Sequence, residues 1–183
     1  MQFKKINMGA GATPLSDHIN IDSMYEKNFV VNSSYALMKD NILVLSFFKP
    51  TYPNAEIEEI CAYHVIEHLP RPGKQSQKPN VHTALDLWNS ILVGGGKLIL
   101  ECPDFDKTIR DYLSGNLARK DNIYGLNRSP GDVHLWGYGR HDLRALVESH
   151  GFEVIEQGDG TDYHAKLEPC QRLVAIKREN RNP

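Results

Sequence analysis

Short apolar runs of strand length alternate with amphipathic windows of helical spacing along this chain. Seven apolar runs predict β-strands, at positions 3–8, 18–22, 41–48, 59–63, 97–101, 152–157 and 172–177. Three windows in which apolar side chains recur every three or four residues predict helices, at 81–92, 105–113 and 140–150. Because strands and helices alternate, the pattern favours an α/β domain with helices packed on a sheet.

The window that starts at position 81 is the clearest helix. Its apolar face carries Val81, Ala84, Leu85 and Trp88. The side chain of Asn80 can cap the first turn, and Asp104 can cap the next helix in the same way. We expect the glycine run at 94–96 to end the first of these helices, since glycine permits the positive φ of a helix terminus.

One long segment, 116–139, has no regular period. It contains several glycines, aromatic residues and a histidine. A long irregular segment inside a compact domain is commonly functional. We therefore predict that residues 116–141 form a lid or an acceptor-binding wall.

The composition is that of one ordinary globular domain. With 183 residues, a formal net charge of −2 and 40% hydrophobic residues, the chain predicts a single domain over 1–183. The charge gives no reason to expect nucleic-acid binding, and the basic residues at 178–183 predict a flexible tail. Neither a signal peptide nor a membrane-length apolar run is present, so we expect a cytoplasmic protein without membrane contact. The cysteines, Cys61, Cys102 and Cys170, suit neither a disulfide framework nor a zinc knuckle, and we expect no metal.

The first chemically informative feature is a glycine turn after the first strand. The strand at 3–8 runs directly into Gly9-Ala10-Gly11, where the backbone can pass close to a ligand. The third glycine of a dinucleotide fingerprint is absent, which disfavours a dehydrogenase. Asp22 ends the second predicted strand, where a carboxylate can accept hydrogen bonds from both hydroxyls of a ribose. Taken alone, each feature also fits a plain tight turn or a surface carboxylate.

The sequence His-Val-Ile-Glu-His at 64–68 follows the fourth predicted strand and forms a short helical turn. Its spacing also fits the inverted zinc-peptidase signature H-x-x-E-H. A zinc hydrolase would need His64 and His68 around one metal on a stable helix, with Glu67 as base. Because prolines within 70–72 end the helix about one turn after His68, we keep this interpretation only as an alternative.

Together these motifs resemble the class I S-adenosylmethionine (SAM)-dependent methyltransferase superfamily, and within it a group of small bacterial and phage-type predicted methyltransferases. The resemblance covers about positions 5–156. It rests on the glycine turn, Ile-Asn-Ile-Asp at 19–22, His-Val-Ile-Glu-His-Leu-Pro at 64–70, Leu-Val-Gly-Gly-Gly-Lys-Leu-Ile-Leu at 92–100 and Pro-Asp-Phe-Asp at 103–106. It implies a Rossmann-like, mostly parallel seven-stranded sheet with an antiparallel last strand and helices on both faces.

The resemblance also implies a SAM site, with S-adenosyl-L-homocysteine as the product. The residues that it places around the cofactor are Met8, Gly9, Ala10, Gly11, Asp22, Ser23, Met24, Ala62, Tyr63 and His64. Asp22 would hold the ribose, Ser23 and Met24 would lie near the adenine, and residues 62–64 would touch the methionine moiety. Two features depart from the family: only 12–17 join the first two strands, and an Asp-Leu pair is missing before the fourth strand.

The methyl acceptor is defined less well by the sequence. Candidates for a catalytic group are His64, Asp104 and His134, since a base within hydrogen-bond reach helps methyl transfer to a hydroxyl. We predict transfer to a small-molecule or carbohydrate-like acceptor, with the segment 116–141 or a second copy of the chain closing the site. The alternatives are a SAM-binding or partner-binding protein of the same fold without activity, a dehydrogenase, and the zinc hydrolase.

Overall fold

The structure is a computed structural model that describes residues 4–11, 14–21, 56–71, 80–128 and 132–179. The predicted strand at 41–48 and most of the predicted tail at 178–183 lie outside these ranges.

The described part of the chain contains six strands and four α-helices. The strands are β1 (Lys5–Met8), β2 (Ile19–Ile21), β3 (Ile57–Tyr63), β4 (Leu92–Pro103), β5 (Phe152–Asp159) and β6 (Cys170–Lys177). The helices are α1 (Val81–Ile91), α2 (Phe105–Leu113), α3 (Arg119–Tyr124) and α4 (Arg140–Glu148). Short 3-10 turns occupy Ile66–His68 and Tyr163–Lys166. Among the described helices, none has the length and apolar character needed to cross a bilayer.

The six strands form one sheet in the order β2-β1-β3-β4-β6-β5. β1 pairs in parallel with β2 and β3, and β3 pairs in parallel with β4. β6 runs antiparallel to both of its neighbours, β4 and β5. The predicted α/β fold is confirmed: the sheet is mostly parallel and Rossmann-like, and its last strand is antiparallel.

The main hydrophobic core covers one face of this sheet. On β3, Ile60 and Ala62 belong to the main core, whereas Cys61 between them belongs to a smaller cluster. Because successive side chains of a strand point to opposite faces, the two clusters lie on opposite sides of the sheet. The helical residues buried in the main core are Val81, Ala84, Leu85 and Trp88 of α1 and Leu143, Leu146 and Val147 of α4.

The beginning of α1 is as predicted, but its end is not. Asn80 Oδ1 accepts hydrogen bonds from the backbone N–H groups of His82 (2.9 Å) and Thr83 (3.3 Å). The Asn80 backbone N–H donates in return to Thr83 Oγ1 (3.4 Å), which completes a capping box. The helix ends at Ile91, and the glycine run at 94–96 lies within β4.

The glycine run forms an irregularity in strand pairing. Ile57 pairs with Leu92, and Glu59 already pairs with Lys97, so β4 carries extra residues at this point. Gly95 has a φ of +73°, which suits the sharp local bend of such a bulge. The expectation that these glycines end α1 was therefore wrong, because strand pairing with β3 takes over directly at Leu92.

Two further helix predictions need correction. The apolar period over 105–113 predicts a buried face made by Phe105, Ile109, Tyr112 and Leu113. This is only partly right, since Leu113 is 76% exposed and Thr108 is the buried residue of α2. The segment 116–139 is not wholly irregular, because it contains α3. α3 buries none of its side chains, so its sequence has no apolar period that could reveal it.

Candidate functional site

The carboxyl ends of the parallel strands β1, β3 and β4 meet at one edge of the sheet, which is where ligands bind in folds of this kind. The turn after β1 is folded onto the end of β2: the backbone N–H groups of Gly9 and Ala10 both donate to the Ile21 carbonyl oxygen, at 2.8 and 3.1 Å. Gly9 and Gly11 have φ values of +69° and +49°. The turn therefore needs the left-handed backbone that glycine adopts most easily.

The two glycines of this turn have different surroundings. A Cβ atom at Gly9 would overlap Val65 Cγ2, so this glycine allows the turn to pack against the segment that follows β3. Among the described residues, a Cβ at Gly11 would meet only the Gly9 carbonyl oxygen, at 3.9 Å. No described side chain therefore crowds the backbone at Gly11.

His64 lies directly after β3 among acidic side chains. Its Nδ1 is 3.2 Å from Glu67 Oε1, its Nε2 is 3.7 Å from Asp162 Oδ1, and its ring lies 3.8 Å from that of His164. Burial disfavours the charged ring, but the contacts to Asp162 and Glu67 outweigh it and hold the pKa of His64 above its usual range. A charged imidazole donates hydrogen bonds, so this environment suits a donor better than a general base.

Glu101, on β4, is a functional candidate that the sequence reasoning missed. It is fully buried, and Oε1 accepts from Thr161 Oγ1 (2.6 Å) and from Arg172 (2.8 Å). Oε2 accepts from the backbone N–H groups of Thr161 (2.9 Å) and Asp162 (3.0 Å). Burial alone would raise the pKa of Glu101, but these donors hold it below its ordinary value. The signal in the sequence that could have identified Glu101 is a single acidic residue within an otherwise apolar strand.

The same strand also fixes His64. The backbone N–H of His64 donates to the Glu101 carbonyl oxygen (2.8 Å), and His64 has a φ of +54°. The Glu101 side chain meanwhile positions Asp162 next to the His64 ring. β4 therefore orients His64 from two sides.

Asp104 has a structural role at the beginning of α2. Its Oδ1 accepts from the backbone N–H of Lys107 (3.1 Å), and its Oδ2 accepts from Arg140 Nε (3.1 Å). Only 2% of Asp104 is exposed. The predicted cap is confirmed, and both carboxylate oxygens are engaged in holding α2 and α4 together.

The two histidines of the His-Val-Ile-Glu-His segment lie in different clusters of potential metal ligands. His68 lies beside Glu67 and beside His134 of the predicted lid segment. One potential ligand atom of each of these three residues lies within 4.8 Å of the other two. His64 instead faces Asp162, and these two residues form a second such group with His164. The arrangement required by the H-x-x-E-H alternative, with His64 and His68 around one metal, is not formed.

Solved structures share this architecture. One is a Haloferax volcanii protein in complex with the methyltransferase activator Trm112 (10% identity, TM-score 0.60, 100% of this chain and 85% of that chain). Another is a SAM-dependent methyltransferase from Methanosarcina mazei (12% identity, TM-score 0.60, coverage 97% and 94%). A third is the magnesium protoporphyrin IX methyltransferase of Synechocystis with bound S-adenosyl-L-homocysteine (13% identity, TM-score 0.51, coverage 96% and 74%). This chain has the class I methyltransferase fold. No protein-family model and no curated protein matches its sequence.

Besides Gly9, Gly11 and His64, the residues predicted to surround SAM fall into three groups in this methyltransferase fold. Met8, Ala10 and Ala62 are each at most 1% exposed, backbone included, so they belong to the interior and border the site from beneath rather than offering it a surface. Tyr63 packs against the smaller cluster on the opposite face of the sheet. Asp22, Ser23 and Met24 lie outside the described residues, although the Ile21 carbonyl that precedes them is bound to the glycine turn.

The segment predicted to be a lid is attached close to the strand ends of the methyltransferase fold. The backbone N–H groups of Leu135 and Trp136 donate to the Glu67 carbonyl oxygen, at 2.7 and 3.1 Å. The Arg71 guanidinium lies 4.5 Å from the centre of the Trp136 ring, which is 43% exposed. Tyr138, a predicted acceptor-wall residue, is instead 1% exposed and belongs to the main core.

Proposed function

We propose that this chain binds SAM at the glycine turn and transfers its methyl group to a small-molecule or carbohydrate-like hydroxyl acceptor. The observation that carries the proposal is the position of the turn: it follows β1, is bonded to the end of β2, and lies at the ligand-binding edge of a class I methyltransferase fold. SAM, when bound, supplies a methyl group activated by its positively charged sulfur.

The residues at this edge fit such a cofactor. The backbone of Gly9-Ala10-Gly11 would border its ribose and amino-acid parts, and no described atom would come closer than 3.9 Å to a Cβ at Gly11. Asp22 would accept from the ribose hydroxyls, with Ser23 and Met24 beside the adenine.

On the acceptor side, the chain contributes mainly positioning. Methyl transfer is an in-line displacement, so a site accelerates it by holding the acceptor oxygen in place and by excluding water. His64 can donate a hydrogen bond from a fixed ring, because its carboxylate neighbours hold that ring in position. The predicted lid segment, 116–141, would close over the neighbouring strand end, since Leu135 and Trp136 attach it to Glu67 directly after β3.

The test is transfer of labelled methyl from SAM to a bacterial metabolite extract, with two glycine variants as the comparison. Gly11→Val and Gly95→Val each place a branched side chain at a positive φ, of +49° and +73°. At neither position would a Cβ atom come closer than 3.9 Å to a described atom. Gly95 lies in the bulge of β4, so its variant controls for backbone strain.

We expect labelled product with the wild type and with Gly95→Val, and at least a tenfold lower rate with Gly11→Val, because its side chain enters the cofactor site. Equal rates in the two variants would contradict the assignment of the glycine turn. Binding of S-adenosyl-L-homocysteine without any labelled product would support the alternative, a SAM-binding protein of this fold that lacks activity.

A further inference from the structure

The buried carboxylate of Glu67 has an ionic neighbour but no hydrogen-bond donor among the described residues. Glu67 is 2% exposed, and neither of its side-chain oxygens accepts a hydrogen bond from a residue that the structure describes. Its nearest charged neighbour is His64, whose Nδ1 lies 3.2 Å from Oε1 without the alignment of a hydrogen bond. Oε2 therefore has no hydrogen-bond donor among the described residues to replace the water lost on burial.

Two histidines next to this carboxylate are oriented as metal ligands usually are. His68 Nδ1 contacts the Val133 carbonyl oxygen at 3.0 Å, and His134 Nδ1 contacts the Asn122 carbonyl oxygen at 2.9 Å. A carbonyl oxygen can only accept, so Nδ1 carries a proton in both rings, and the neutral form of each ring has its lone pair on Nε2. Histidine ligands of metals commonly donate their other ring N–H to a backbone carbonyl in this way.

We infer that Glu67, His68 and His134 form a binding site for a divalent transition-metal cation of the zinc type. One ligand atom of each residue lies within 4.8 Å of the other two. Ligands at about 2.0–2.2 Å from a tetrahedral zinc ion lie roughly 3.5 Å apart, so small side-chain movements would complete the shell. Two imidazoles and one carboxylate are a known zinc ligand set that leaves a fourth position for water or another ligand.

The site joins parts of the chain that are distant in sequence. Glu67 and His68 belong to the turn after β3, whereas His134 belongs to the lid segment, and its ring is held by Asn122 of α3. A bound cation would therefore fasten the lid and α3 to the end of β3. This site does not depend on the proposed methyl transfer.

Two other groups of potential ligands lie nearby, and both use His64: one with Asp162 and His164, the other with Glu168 and Cys170. They are weaker candidates because their carboxylates already have partners. Asp162 accepts from the His164 backbone N–H (2.8 Å) and contacts its ring, and Asn122 donates to Glu168. Each of the three groups contains one carboxylate, and that of Glu67 has no hydrogen bond within the described residues.

The experiment is a calorimetric titration of the chelator-treated protein with Zn²⁺, together with the metal content of the protein after dialysis against zinc. His134→Asn and Glu67→Gln remove one proposed ligand each. His164→Asn removes a ligand of the neighbouring group, and His141→Asn replaces an exposed histidine of α4 as the matched control. Thermal unfolding of each variant without metal shows whether it folds like the wild type.

We expect one zinc ion per chain in the wild type, with affinity at least tenfold lower in His134→Asn and Glu67→Gln and unchanged in the other two variants. Zinc should raise the unfolding temperature of the wild type but not that of His134→Asn. Co²⁺ in place of zinc should give visible absorption bands of a low-coordinate site, which His134→Asn loses. Absence of zinc binding in the wild type, equal binding in all variants, or loss with His164→Asn alone would each overturn the inference.

Discussion

Replacing Glu101 with glutamine should destabilise the protein strongly, because four donors converge on this carboxylate. Oε1 accepts from Thr161 Oγ1 and Arg172, and Oε2 accepts from two backbone N–H groups, those of Thr161 and Asp162. Glutamine has nearly the same shape but presents an NH₂ group at one of the two oxygen positions. One pair of donors then faces another donor, and the charge that compensates Arg172 is lost.

The expected cost is about 3 kcal/mol. Removing one partner of a buried ion pair typically costs about 3–5 kcal/mol, and a hydrogen bond to a charged group contributes about 1.5–3 kcal/mol. We take the lower end of the roughly 3–5 kcal/mol range, about 3 kcal/mol, because the Arg172 side chain is 20% exposed and can be hydrated again. For a chain of this size, each kcal/mol shifts the unfolding temperature by roughly 2–4 °C, which gives a decrease of about 6–12 °C.

The same contacts predict how the loss depends on pH. The pKa of Glu101 in the folded protein lies below its ordinary value of 4.5, because its donors favour the charged form. A carboxyl with a depressed folded-state pKa stabilises the fold above its unfolded-state pKa, and this contribution is lost as pH falls through the folded-state pKa. The difference between wild type and Glu101→Gln should therefore be full at neutral pH and shrink as the pH falls below about 4.5.

The assay is urea unfolding followed by tryptophan fluorescence at neutral and acidic pH. Glu153→Gln, at an exposed position of β5, is the matched control and should change the free energy of unfolding by no more than about 0.5 kcal/mol. A neutral-pH loss below about 1 kcal/mol in Glu101→Gln, or a loss that stays constant at acidic pH, would refute the assignment of a charged, fully bonded carboxylate.

Three further predictions concern local features. Asn80→Ala should lower the free energy of unfolding by about 1 kcal/mol, because α1 loses its cap. Asn80→Asp should keep the cap and the stability in the same urea assay. Equal losses in the two variants would argue against the cap. Gly9→Ala should cost about 2–4 kcal/mol, from the positive φ and the overlap with Val65, and a second change, Val65→Ala, should relieve the steric part. Burial raises the pKa of Cys61 to about 12, so a thiol reagent at pH 8 should label it only after unfolding; rapid labelling of the native protein would contradict its burial.

The antiparallel last strand was expected only from the resemblance to the methyltransferase family. Local signals in the sequence were enough to predict the strand that leads into the glycine turn and the caps at Asn80 and Asp104. Each of these depends on residues that are close together in the chain. The Gly-Gly-Gly run at 94–96 was misassigned because a helix end and a bulge both favour glycine, and pairing with β3 decides between them.

The missed parts of the candidate site depend on contacts between distant segments. The partners of Glu101 are about sixty to seventy residues away, at 161–172, and no local period indicates them. His68 meets His134 rather than His64 because the left-handed backbone at position 64 directs the first histidine of the motif elsewhere. A spacing such as H-x-x-E-H predicts a shared metal only if the residues continue in one regular helix, and here the helical part is limited to Ile66–His68.

The central claim is that an adenosyl group binds between the glycine turn and Asp22, and calorimetric titration with S-adenosyl-L-homocysteine tests it most directly. The wild type should bind one equivalent, and Asp22→Ala should bind at least tenfold more weakly, because the ribose loses hydrogen bonds to a charged group, each worth about 1.5–3 kcal/mol. NAD, titrated in parallel, should not bind. Equal affinity in the wild type and Asp22→Ala, or binding of NAD in place of S-adenosyl-L-homocysteine, would contradict the claim.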